Sequence, residues 1–182
     1  MMIRIAFIFF VSLISVALHA QDKFYTKTGK IEFFSEAKLE DIAAINKTVA
    51  VILDAKTGNL QFSVLMKGFE FEKALMQEHF NNNYIESDKF PQSTFKGKVD
   101  LNSVDLTQNG IYQSTAKGKL LLHGVEKEVS VPCKLTVKDG SISSSAEFSI
   151  LLSDYKIKIP GGAKNKISNK IKIIVSCLLA PL

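Results

Sequence analysis

The 182-residue chain has no tryptophan, two cysteines, three histidines and four prolines. Each shortage excludes something. The histidines stand at 19, 79 and 123 with no H-x-H or C-x-x-C spacing anywhere, so the three or four convergent ligands of a zinc site are missing and no metal is expected. No G-x-S-x-G elbow surrounds any serine, and Gly161-Gly162 lacks the strand-loop-helix setting of a phosphate loop. An enzyme is therefore not expected, and neither is a cofactor. A lipid-directed reaction would need His79 and a carboxylate such as Glu86 within hydrogen-bond reach of each other. A strong excess of one charge is also missing. Lysine plus arginine number 23 against 18 acidic residues, and lysines are interspersed with glutamates at Glu70, Glu72, Lys73 and at Glu126, Lys127, Glu128. Such mixing is not the basic stripe of a nucleic-acid binder.

What is present begins at the N-terminus. One arginine, Arg4, precedes an apolar run from Ile5 to Leu18 that ends in small residues. The run is short for a membrane span, which needs about 20 residues, and its layout is that of a secretory signal. The reading is a signal peptide over 1–20 and one domain over 21–182, placed in the periplasm or secreted. Arg4 is the only charge in that leader, so the remainder carries 22 basic against 18 acidic side chains, a mild +4. The densest basic stretch, Lys156, Lys158, Lys164, Lys166, Lys170 and Lys172, has a period that suits the wet face of strands. It also leaves room for a transient contact with anionic lipid headgroups.

Alternation dominates the rest. Leu60, Phe62, Val64 and Met66 alternate with more polar neighbours, as do Phe95 and Val99, then Val129, Val131, Cys133 and Leu135, then Ala146, Phe148 and Ile150, and last Ile171, Ile173, Val175 and Cys177. Period two with one greasy face marks strands of an antiparallel sheet wetted on one side. Asp54 to Asn59, His123 to Glu126 and Lys138 to Ser141 supply hairpin connections with glycine where positive φ is needed. Many hairpin-linked strands mean a sandwich or an up-and-down barrel. Pro132 gives up a ladder donor and points to a bulge or an edge. Cys133 and Cys177 share the inward parity. An exported protein could pair them, but two buried free thiols are favoured.

One segment breaks the pattern. Glu72 to Phe80 predicts a short helix, the Asn81-Asn82-Asn83 run predicts its end, a second turn is expected over Tyr84 to Lys89, and Pro91 directs the chain back to a strand at Thr94. Residues 36–45 fit either a helical turn or a short strand. Small residues on the inward parity, Ser114, Ala116, Gly118, Ser144 and Ala146, leave room inside a closed sheet of about eight strands.

The segments FEFEKALMQEHFNNNYIESDKFPQSTFKGKV, GKLLLHGVEKEVSVPCKL and SDYKIKIP, in this order, resemble the YceI-like family of exported bacterial proteins, from Gly29 to the last strand at Cys177. The resemblance implies an all-β, antiparallel, up-and-down (lipocalin-like) eight-stranded barrel with a short helical insert beside its mouth, and a bound polyisoprenoid or similar long-chain amphiphile, held for sequestration or transport. It supplies no catalytic residues. On that reading the pocket is lined by Phe62, Val64, Phe69, Phe80, Phe95, Ala146, Phe148 and Ile150, with His79 and Tyr84 near the entrance. The competing reading is a filled barrel that serves as a non-catalytic protein-interaction module through its loops at 81–89 and 160–166. Partners are expected to be a hydrophobic small molecule or lipid and no nucleic acid, with a dimer left open.

Overall fold

A computed structural model describes residues 22–182, so the signal peptide read over 1–20 lies outside the described residues. The strands are β1 (Lys23–Glu36), β2 (Asp41–Asp54), β3 (Asn59–Leu65), β4 (Glu70–Phe71), β5 (Gln92–Val99), β6 (Gly110–Leu122), β7 (Val125–Lys138), β8 (Ser141–Leu151) and β9 (Lys170–Pro181), the predicted alternation accounting for β3, β5, β7, β8 and β9. Eight of them pair antiparallel with their neighbours in chain order, and β1 meets both β2 and β9, which closes the sheet on itself. This is the up-and-down barrel rather than the sandwich. The two-residue β4 is the extra strand and pairs with β2 at Ala44 and Ile45. Residues 36–45 are the end of β1, a turn and the start of β2, with no helix.

One end of the barrel is packed solid. Leu53 of β2, Ile142 of β8 and Leu179 of β9 are almost fully buried there, with Ile142 directly opposite Leu179. At β5 and β6, Gly97 lies opposite Gly118. A Cβ on Gly118 would stand 2.4 Å from the Lys96 carbonyl oxygen and 2.5 Å from the Gly97 Cα. Gly118 thus serves close approach of two backbones rather than interior space, which corrects its expected part in leaving room. Ala116, Ser144 and Ala146 do border the interior.

The opposite end is covered by two excursions. The first is the insert between β4 and β5, whose helix α1 (Ala74–His79) is shorter than the predicted 72–80. The asparagine run does not stop it. Phe80–Tyr84 continues as a wider turn in which backbone N–H groups reach five residues back, and Ile85 N bonds the Phe80 carbonyl at 2.9 Å. Asn81 explains this, because its side-chain NH2 donates to the Gln77 carbonyl at 3.0 Å while its Oδ1 accepts from Ser87 Oγ at 2.6 Å, replacing the ladder lost in the bulge. The second excursion is the connection from Leu152 to Asn169. It contains Lys156, Lys158, Lys164 and Lys166, so four of the six lysines expected on strand faces lie in this loop and only Lys170 and Lys172 are on β9.

Pro132 has the edge position its missing donor requires. The β7–β8 ladder begins one residue later, at Cys133 opposite Ala146, so toward the covered end β7 pairs only with β6 and β8 only with β9. The barrel therefore widens on this side. Cys133 and Cys177 are free. Cys177 lies opposite Ser144 on β8 and Cys133 opposite Ala146 on the other side of β8. Two strand spacings of about 4.8 Å separate them, beyond the ~7 Å Cα limit for a disulfide.

Candidate functional site: an apolar cavity inside the barrel

The barrel encloses a cavity of about 700 Å3 that reaches from the packed end to the two excursions. Ile171 and Leu179 of β9 both border it, eight residues apart. At about 3.3 Å per residue and a strand tilt of about 40°, that separation makes a hollow roughly 20 Å deep. Side chains on the inward parity build its wall because each strand places every second residue inside.

All ten residues expected from the sequence border this space. Phe62 and Val64 project from β3, with Phe62 meeting Phe95 of β5 edge to face at 6.2 Å between centroids. Ala146, Phe148 and Ile150 line it from β8 and Phe69 from just before β4. His79, Phe80 and Tyr84 descend from the insert. Phe80 joins Phe33, Phe69 and Phe71 in an aromatic cluster with centroid separations of 5.0 to 5.7 Å, which fastens the insert to the barrel rim. Phe33 was not anticipated as a wall residue. Its alternation partner Phe34 is equally apolar, so the pattern did not say which of the two faces inward. Phe90 lies elsewhere, against the His123 ring at 4.5 Å.

Polar groups are few and concentrated at the covered end. The ionised side chains bordering the cavity are Glu40, Lys73 and Lys166, from the β1–β2 turn, the insert and the β8–β9 connection. These three segments frame a mouth. Lys73 Nζ and Glu40 Oε1 pair at 3.1 Å across it, and Leu39 N donates to the Asn165 carbonyl at 3.0 Å. Burial pushes the Tyr84 hydroxyl above its ordinary pKa, and among the described residues that hydroxyl has no hydrogen-bond partner. Desolvation likewise raises the Cys133 thiol, which faces the cavity. Glu86 does not approach His79. Its carboxylate lies 2.9 Å from His123 Nε2 instead. Among the described residues no group of His, Cys, Asp or Glu side chains is arranged to hold a metal.

A closed antiparallel barrel around a deep apolar hollow, with its few polar groups at one rim, is the architecture of a carrier of greasy molecules. The sequence matches the model of the YceI-like domain over residues 8–178, and the chain belongs to that family. Solved structures share the fold. A polyisoprenoid binding domain from Saccharophagus degradans superposes with a TM-score of 0.78 at 14% identity, covering 89% of this chain and 99% of that one. BcnA from Burkholderia cenocepacia gives 0.68 at 16% identity over 84% and 96%, and the Campylobacter jejuni YCEI protein 0.59 at 18% identity over 74% and 82%. No curated protein matches the sequence.

Proposed function

We propose that this protein is exported and holds a long-chain amphiphile of the polyisoprenoid class in its barrel, for sequestration or transport. The observation that carries the reading is the cavity itself, deep, apolar and free of charged side chains below its rim. The family membership and the likeness to a polyisoprenoid binding domain support the choice of ligand class. The apolar run from Ile5 to Leu18 supports export to the periplasm or beyond. No residue takes a catalytic role. Phe62, Val64, Phe69, Phe95, Ala146, Phe148 and Ile150 grip the tail, Phe80 caps it, and His79 and Tyr84 offer hydrogen bonds to its polar end.

Dimensions set the tail length. An extended main chain covers about 3.3 to 3.6 Å per three bonds, so a hollow roughly 20 Å deep takes about 17 bonds, or about four isoprene units. Each unit contributes on the order of 4 kcal/mol gross at about 0.8 kcal/mol per buried methylene-sized group, before ordering costs are subtracted. Delipidated protein titrated with prenyl alcohols of increasing length tests this. Affinity should rise up to about four units and then level off as further units protrude through the mouth. Affinity independent of length from one unit upward would contradict tail burial.

A further inference from the structure

The mouth carries a feature that ligand storage does not use. Leu39 is 70% exposed and Leu75 61% exposed, and Leu75 borders the cavity. Contacts already described join them into one patch. Glu40, next to Leu39, pairs with Lys73, two residues before Leu75. The Leu39 amide bonds the carbonyl of Asn165, which lies between Lys164 and Lys166. Lys38, Lys164 and Lys166 are all exposed, and among the described residues none has an acidic partner within ion-pair distance, whereas Glu40 is matched by Lys73. From Lys156 to the C-terminus the sequence has six lysines and no acidic side chain.

We propose that this rim docks on the surface of an anionic lipid bilayer, with Leu39 and Leu75 inserted among the headgroups and Lys38, Lys164 and Lys166 against their phosphates. Leu39 with Lys38, Lys164 and Lys166 beside it is suited to the interface, where apolar side chains reach the acyl boundary and the long lysine stems keep their charge in the headgroup layer; Glu72 and Glu78, three residues either side of Leu75, oppose the attraction there. Each lysine near an anionic surface contributes about 1 kcal/mol, about fivefold in affinity. Docked in this way, the mouth opens onto the bilayer, and a tail can pass between membrane and barrel without crossing water. The docking does not depend on what the barrel holds.

Sedimentation with vesicles tests the proposal, using delipidated protein purified from expressing cells with its N-terminus defined by mass spectrometry and identical in every variant. Vesicles of phosphatidylcholine with phosphatidylglycerol should bind the protein, and pure phosphatidylcholine or high salt should weaken binding at least tenfold. Leu39→Ser/Leu75→Ser should lower binding at least tenfold, and Lys38→Gln/Lys164→Gln/Lys166→Gln about a hundredfold. Ile111→Ser/Leu178→Ser, which removes comparably exposed residues from the barrel wall, should leave it unchanged. Because the chain has no tryptophan, Leu75→Trp gives an uncontaminated fluorescence signal that should shift to the blue on vesicle addition. Absence of binding, equal binding to both vesicle types, or equal loss in the wall and rim variants would overturn the proposal.

Discussion

Glu86 and His123, 37 positions apart, meet with the carboxylate Oε2 2.9 Å from the ring Nε2. The other ring nitrogen, Nδ1, lies 3.0 Å from the carbonyl oxygen of Tyr155. A carbonyl can only accept, so Nδ1 is the donor to Tyr155, and Nε2 is the ring nitrogen that faces Glu86. The ring thereby ties the β6–β7 turn to the root of the insert and the root of the β8–β9 connection, the two excursions that cover the mouth. Both residues hold left-handed backbone, with φ of 49° at Glu86 and 51° at His123, a conformation that these interactions must offset.

The His123 hydrogen bond is the main cause holding the Glu86 carboxyl below its ordinary pKa of 4.5. A depressed carboxyl contributes stability above its unfolded pKa and loses it as pH falls through the folded one. Urea unfolding should therefore show stability declining below about pH 4.5, with a shallower decline in Glu86→Gln than in the wild type. Parallel acid limbs in the two proteins would show that the pair does not tie the excursions down.

Gly118→Ala should be among the most damaging small substitutions in the barrel. The added methyl meets backbone rather than a movable side chain at 2.4 and 2.5 Å. The expected loss is roughly 3 kcal/mol or failure to fold, against well under 1 kcal/mol for Gly162→Ala, which meets nothing within 4 Å. Chemical denaturation of both variants decides it.

Both thiols should be inert in the native state. Burial raises Cys133, and it raises Cys177 to about 11, so little thiolate is present at neutral pH. A disulfide-exchange reagent should label neither in the folded protein and both in denaturant. A thiol count of zero in denaturant would reveal the disulfide that the strand spacing excludes.

Ala146 marks the middle of the cavity wall, opposite Cys133 and Val175. Ala146→Phe would place a ring in open space, so the fold should lose less than about 1.5 kcal/mol while the longest accepted tail shortens. Unchanged tail length would move the ligand away from β8.

Much of this was legible in the sequence. Period-two alternation marked β3, β5, β7, β8 and β9 because one face of each is wet, while β1, β2 and β6 were not among those series, and glycine at positive φ marked the hairpins at Gly124 and Gly140. Phe62, Val64, Phe95, Ala146, Phe148 and Ile150 followed from that parity, whereas Phe69, His79, Phe80 and Tyr84 lie off those strands and were read from the helical interruption and its approach, with the family resemblance supplying the reason to seek a hollow. What stayed hidden depends on distance in space. The Glu86–His123 pair and the Leu39–Asn165 bond join segments far apart in sequence, and nothing local announces them. The lysines from 156 to 166 share the spacing of a wet strand face, yet Pro160, Gly161 and Gly162 break the strand and turn them into a rim. Asn81 read as a helix terminator because its side chain competes for backbone partners, and that same competition carried the helix through a wider turn.

The central claim is most directly tested by organic extraction of protein purified without detergent, with mass analysis of what is released. The account predicts a long-chain, largely hydrocarbon amphiphile in near-stoichiometric amount, lost from the Ala146→Phe variant or replaced there by a shorter one. A barrel that is repeatedly empty when isolated, and that stays empty when mixed with prenyl lipids, would contradict it.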